Sequence, residues 1–244
     1  MNKFAMTAAT AALMLSLSAG ALAASGLGSV TTMSGAGAEA DKAGSVTINT
    51  TMCELELDDA GKIAAVSFDI AQNKIGFDAA GALTGELTGE HPTKKELGDA
   101  YGMKAATSIG KEWYEQIAAF EEWAKGKTAE EVKAGIGEDG YPSDADLKAG
   151  CTMYANGFAQ VTAQAMENAK DLGASATDSL KLAMTTEKYY ESNETNLQYD
   201  TNYAIVTVDA DGKVTSCVID ASQAKCTIAD GKFTVEKGAF KSKK

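Results

Sequence analysis

Two stretches of alternating apolar and polar residues lie at the two ends of the chain, and helical spacing fills the interval between them. In the first, Leu55 and Leu57 run up to an Asp/Gly turn at 58–61, and Ile63 and Phe68 follow it. Period-2 alternation around a Gly-containing turn predicts a β-hairpin with one buried face. The second stretch repeats the first. Residues 50–77 align without a gap on 201–228, with the identical pairs Asp58/Asp209, Gly61/Gly212, Lys62/Lys213, Asp69/Asp220, Gln72/Gln223 and Lys74/Lys225. After a second break, Lys74-Ile75-Gly76-Phe77 and Lys225-Cys226-Thr227-Ile228 read as third strands, leading to Gly turns at Gly81 and Gly231. The expected unit is a three-stranded meander.

Between the copies, Trp113, Ile117, Phe120 and Ala124 fall on one helical face opposite Glu121, Glu122 and Lys125, which predicts a helix ending near Gly126. Thr128-Ala129-Glu130-Glu131 has the form of a capping box and opens a short helix with Val132 and Ile136 inward. A Gly-rich acidic loop follows. A longer helix is expected from about Met153 to Leu172, with Tyr154, Phe158, Val161, Ala165 and Ala169 on its buried stripe. The fold class is therefore α+β, with two repeated antiparallel β-meanders flanking a helical middle segment. A meander alone buries too little surface to be stable, so the second copy is expected to pack on the helices or sheet of the first.

The amino terminus sets the compartment. Lys3, the apolar stretch 4–17 and Ala21-Leu22-Ala23 have the charge, length and small-x-small cleavage pattern of a secretory signal peptide, placing the mature start near Ala24. Its apolar core is shorter than the ~20 residues a membrane span needs, and no later run is long or apolar enough. The expected organisation is a signal peptide at 1–23, a Gly/Ala/Ser-rich segment at 24–44, a meander with helices at 45–175, and the second, truncated meander at 176–244. Segment 24–44 reads as a flexible leader or, at Gly28–Thr32, as a first strand in the place that Leu180–Met184 holds before the second copy. The polar stretches Ser34–Ala43 and Glu187–Asn196 then become surface loops.

Composition narrows the chemistry. The chain has 22 basic residues, all lysine, against 34 acidic ones, for a formal net charge of −12. An acidic chain without arginine is a poor partner for nucleic acid or an anionic membrane. One histidine, His91, excludes multi-histidine metal catalysis, and the His91-Pro92 loop reads as a solvated turn. Cys53, Cys151, Cys217 and Cys226 form no Cys-x-x-Cys pair. Two disulfides are possible in an exported chain, but the strand-like settings favour buried free thiols. Asp209-Ala210-Asp211-Gly212 has the opening of a calcium loop but lacks its later ligands, so it reads as a turn. Trp113, Tyr114, Trp123 and Tyr101 are candidates for a pocket or the core, and Tyr189-Tyr190 for a contact patch or an edge strand.

The segment Asp146-Leu147-Lys148-Ala149-Gly150-Cys151-Thr152, preceded by the meander and followed by an Ala-rich helix, resembles the FMN-binding domain of exported bacterial flavoproteins. In that family the turn reads Ser-Gly-Ala-Thr and its threonine is esterified by the phosphate of FMN. The resemblance implies attachment at Thr152, close backbone approach at Gly150, and Cys151 in the same turn. Ala149 and Cys151 depart from the family pattern. Read from the residues alone, Thr152 is a helix N-cap. Segments 96–104 and 110–114 also resemble signal-peptide-bearing proteins of anaerobic Gram-positive bacteria, a likeness that brings no activity. The expected function is an exported, non-enzymatic FMN-binding protein in electron transfer. The alternative is a secreted structural or interaction protein on the same scaffold without a cofactor.

Overall fold

A computed structural model describes residues 22–84, 91–175, 177–190, 196–235 and 243. The predicted signal peptide lies outside these residues except for Leu22 and Ala23. The first sheet has the order β4-β3-β2-β1-β5, built from β1 (Leu22–Ala36), β2 (Gly44–Leu57), β3 (Ile63–Phe77), β4 (Leu83–Thr84) and β5 (Lys170–Ser175). The second has the order β6-β7-β8-β9, from β6 (Ser179–Tyr190), β7 (Asn196–Val208), β8 (Val214–Ala229) and β9 (Lys232–Val235). Every pairing is antiparallel. Between β4 and β5 lie α1 (Lys94–Leu97), α2 (Trp113–Ala124), α3 (Ala129–Ala134), α4 (Ala145–Gly150) and α5 (Asn156–Asn168). The molecule is mixed α and β, with strand predominating.

The repeat is a four-stranded meander, one strand longer than the sequence suggests. Most of segment 24–44 is β1, paired along its length with β2. The expected third strands are continuations of β3 and β8. Gln72 and Asn73, which look like a break, do not interrupt the ladder: Gln72 Nε2 donates to Asn49 Oδ1 across the strands at 2.8 Å, and Asn73 is buried. In the second copy Gln223 Nε2 donates to Asp200 Oδ2. The last strands of the units are β4 and β9, reached through the turns at Gly81 and Gly231. The expected loops are shorter too, since β1 extends to Ala36 and β6 to Tyr190.

Each face of β2 has its own layer. Cys53 and Leu55, with Val66, Phe68 and Ile70 of β3, meet the helices, where Phe68 packs edge-on against Phe120 and Phe158 at 5.3 and 5.5 Å. Val46, Ile48 and Met52 meet Leu197, Tyr199, Tyr203 and Ile205 of the second sheet. The order is helices, first sheet, second sheet. Val46, Ile48 and Met52 correspond in the repeat to Leu197, Tyr199 and Tyr203, so both copies use the same face for this contact. The other face carries helices in the first copy only. There Ile219, the counterpart of Phe68, is 71% exposed.

Helix α5 approaches β1 where side chains are absent. A Cβ on Gly26 or Gly28 would stand 2.0 or 2.1 Å from the carbonyl oxygen of Ala165 or Val161. The expected helix 153–172 is shorter at both ends: Tyr154 is exposed against Tyr141, and after Ala169 the chain turns into β5.

Candidate functional site

The turn singled out in the sequence is tied into the fold. Asp144 caps α4 by accepting from the N–H groups of Asp146 and Leu147, and it also accepts from Trp123 Nε1 at 3.0 Å. The backbone bond from Leu147 is the first cause holding its carboxyl below the usual range. The helix ends on Gly150, which faces α2. A Cβ there would lie 2.6 Å from Ala119 Cβ, so this glycine serves helix packing. Cys151 is fully buried, and burial pushes its thiol up.

Thr152 is half-buried, and it does not cap α5, whose N-cap is Ala155. Its N–H donates to Gln116 Oε1 at 2.9 Å, and its hydroxyl donates to the same oxygen and contacts Thr107 Oγ1, both at 3.2 Å. Gln116 Nε2 in turn donates to Thr107 Oγ1 and to the Lys111 carbonyl. These bonds tie two loops, 107–112 and 151–155, to α2. They use the N–H and hydroxyl that a phosphate ester would need, and Gly150 is filled from the other side. The turn does not fit an FMN phosphoester as it stands.

A cleft opens two residues further on. It lies on the helical side of the first sheet, with a volume of about 470 Å³. Its floor includes Asn49, Thr51 and Ile70, and the start of α5 supplies Asn156, Gly157 and Phe158. Lys94 completes the wall. This lysine is only 8% exposed, and its Nζ stands 4.7 Å from the Tyr101 ring centroid and 5.6 Å from that of Trp113. Two of the aromatic candidates therefore cage a cation. Trp123 holds Lys127 in the same way at 4.5 Å, while Tyr114 is partly exposed and donates to Asp99.

The remaining candidates fall into place around this geometry. His91 is half-buried and packs edge-on against Tyr199 at 5.9 Å, so it is not the solvated turn expected. Asp209 accepts from the N–H groups of Asp211 and Lys213, as Asp58 does from Ala60 and Lys62: both are turns. No disulfide links the four cysteines. Cys53, Cys151 and Cys226 are buried as expected, but Cys217 is exposed because it lies on the open face of β8. The Tyr189 and Tyr190 side chains lie outside the described residues. Among the described residues no three His, Cys, Asp or Glu side chains gather as a metal site, and no helix is long and apolar enough to cross a membrane.

Sequence reasoning missed Lys94 and a pair of buried acids. The capping box Thr93-x-x-Glu96 was there to be read: Thr93 Oγ1 accepts from Glu96 N, and Glu96 accepts from Thr93 N. It marks where α1 starts and so fixes Lys94 at its first position. Glu54 and Glu56 are both buried between the sheets, and among the described residues neither carboxylate oxygen of Glu54 is hydrogen-bonded.

The chain matches no protein-family model, so the FMN-binding resemblance finds no support there, and no solved structure matches it. A curated protein named chlorophenol reductase, from Desulfitobacterium hafniense, is 39% identical over 97 residues. The match covers 35% of this chain and 30% of that protein. The chain thus shares a stretch amounting to less than a third of its relative's length, and the likeness is to a protein with a redox name.

Proposed function

We propose that the protein is an extracytoplasmic, non-enzymatic binding protein that holds a flavin such as FMN noncovalently in the α5 cleft and takes part in electron transfer. The observation that carries this reading is the cleft itself. Its volume lies within the range of small-molecule sites, and it combines an aromatic and aliphatic wall at Phe158 and Ile70 with amide and hydroxyl groups at Asn49 and Thr51. A planar ring with polar edges suits such a lining. The chlorophenol reductase match supports a redox setting, and a bound cofactor would supply the chemistry that a histidine-poor chain does not.

The test is a flavin titration of the full chain expressed with its leader, followed by flavin fluorescence, the visible spectrum and intact mass. Saturable quenching without an added FMN mass is the expected result. A colourless protein that binds neither FMN nor riboflavin overturns it, and a covalent FMN increment lost in Thr152→Ala would move the site to the turn. The second reading is a secreted interaction protein without cofactor. It is favoured by the open face of the second sheet, where Ile219 and Cys217 are exposed.

A further inference from the structure

We infer that the outer face of the second sheet docks an acidic amphipathic helix of another protein, seated there as α2 is seated on the first sheet. This face lies on the side of the molecule away from the cleft, and its occupant is independent of whether a flavin is bound.

The two copies of the repeat agree in register as well as in sequence. Cys53 stands opposite Phe68 as Ala204 stands opposite Ile219, and both ladders shift at the same place, after Glu56 and after Thr207. Each group that the helices meet on the first sheet therefore has a counterpart on the second. On the first, Phe68 packs against Phe120, its N–H donates to Glu121 Oε1 at 2.8 Å, and Lys62 pairs with Glu131 at 3.7 Å. Ile63 exchanges backbone bonds with Gly126 and Lys127. On the second, Ile219 and Val214, the counterparts of Phe68 and Ile63, are exposed, and neither is bonded along the outer edge of β8 among the described residues. Lys213, the counterpart of Lys62, is in no ion pair among them. The second sheet thus keeps the apolar anchor, the edge donor and the cation that the helical layer engages on the first.

Charge selects the occupant. Ala183, Ala204 and Ile219 lie side by side across β6, β7 and β8, with Val206 and Cys217 in the next row, and a groove of about 220 Å³ runs beside Ile219. Lys181 ends that second row, Lys213 stands at the β7–β8 turn, and Asp200 further along is already paired with Lys243. A second copy presenting the same face would set these lysines against one another. An acidic helix brings carboxylates to them and to the Ile219 N–H. The required pattern is the one α2 and α3 display, with Ile117, Phe120 and Ala124 inward and Glu121 and Glu131 reaching the edge of the sheet. Apolar anchors at such spacing laid on an open apolar surface are a recurrent mode of recognition.

The probe is a peptide of residues 112–136 of this chain, which carries α2 and α3, titrated against the full chain. Saturable slowing of Cys217 alkylation and a shift of the Ile219 amide resonance are expected, both weakening at high salt. A Glu121→Gln peptide should bind about ten-fold more weakly, the loss of one charge-assisted hydrogen bond. Ile219→Asp in the protein should weaken binding at least as much, and because that side chain is exposed the variant should keep the wild-type melting temperature. A peptide that leaves Cys217 and Ile219 unaffected overturns the inference, as does unchanged affinity in the folded Ile219→Asp chain. Slow alkylation of Cys217 in the free protein would show the face already covered by the chain itself. A dimer in light scattering that Ile219→Asp dissociates would assign the face to a second copy. Either result overturns the helix. Failure of the flavin titration leaves all these outcomes as they are, so the two readings fall separately.

Discussion

Glu54 shows how a buried acid writes itself into stability. Burial pushes its carboxyl up to about 9, with Lys95 opposing and Glu121 and Glu56 adding to the rise, while Lys181 on the second sheet opposes it weakly. Glu56 is pushed up to about 7 by burial and then by Asp178. The folded state therefore holds protons that the unfolded chain releases near 4.5. The stability they protect is full below that value and is lost as pH rises, through about 7 for Glu56 and about 9 for Glu54. Each group contributes a slope of about 1.4 kcal/mol per pH unit across its window. Urea unfolding of wild type and Glu54→Gln should give similar stabilities near pH 4.5 and a growing advantage for the variant toward pH 8; a constant difference would contradict this. These acids were illegible because they alternate with Leu55 and Leu57. Period-2 reasoning put one face of β2 in solvent, but both faces are covered.

Other single residues give equally direct tests. Cys217 is exposed, whereas burial raises the thiols of Cys53 and Cys151. A thiol reagent should label one cysteine rapidly in the native chain and the other three only on unfolding; two fast thiols would contradict the assignment. Gly150 also has a packing role, against α2. Its meaning lies in Ala119 on another helix, which adjacency in sequence cannot reveal.

At the scale of elements, legibility followed locality. The face of α2 and the Thr128 capping box depend on residues three to eleven apart, and the structure reproduces both. The ends of α5 depend on distant partners. Its last turn yields to β5 because residues 170–175 extend the first sheet beside β1. The side-by-side packing of α5 and β1 is set by Gly26 and Gly28, whose missing side chains let helix carbonyls approach the strand. Gly28→Ala should cost about 3 kcal/mol or more, at the upper end for overpacking, because its Cβ meets backbone that cannot rotate away. Denaturant unfolding measures the loss, and a change below about 0.5 kcal/mol, typical of a neutral surface site, would refute the close approach.

For the whole molecule, the question is whether three layers unfold as one. Trp113 and Trp123 belong to the helical layer, while Tyr203 lies between the sheets, 2% exposed, with its hydroxyl 2.7 Å from Ser29 Oγ. Tyr203→Ala should cost about 3–5 kcal/mol, as for a large buried aromatic. The tryptophan and far-ultraviolet transitions should shift together although no tryptophan lies at the mutated layer; separate transitions would show that the second sheet unfolds alone. The gapless repeat made the doubling of the sheet readable. Its face-to-face arrangement was not, since only position in space distinguishes the covered Phe68 from the open Ile219.

The β1–β5 ladder has a consequence for the order of events in folding. Ala24 and Ser25 pair with Asp171 and Lys170, so the edge of the first sheet closes only after all five helices have been made. Closing so long a loop is entropically slow, and contacts of such sequence separation retard folding. The early part of the chain therefore stays open while the rest is supplied.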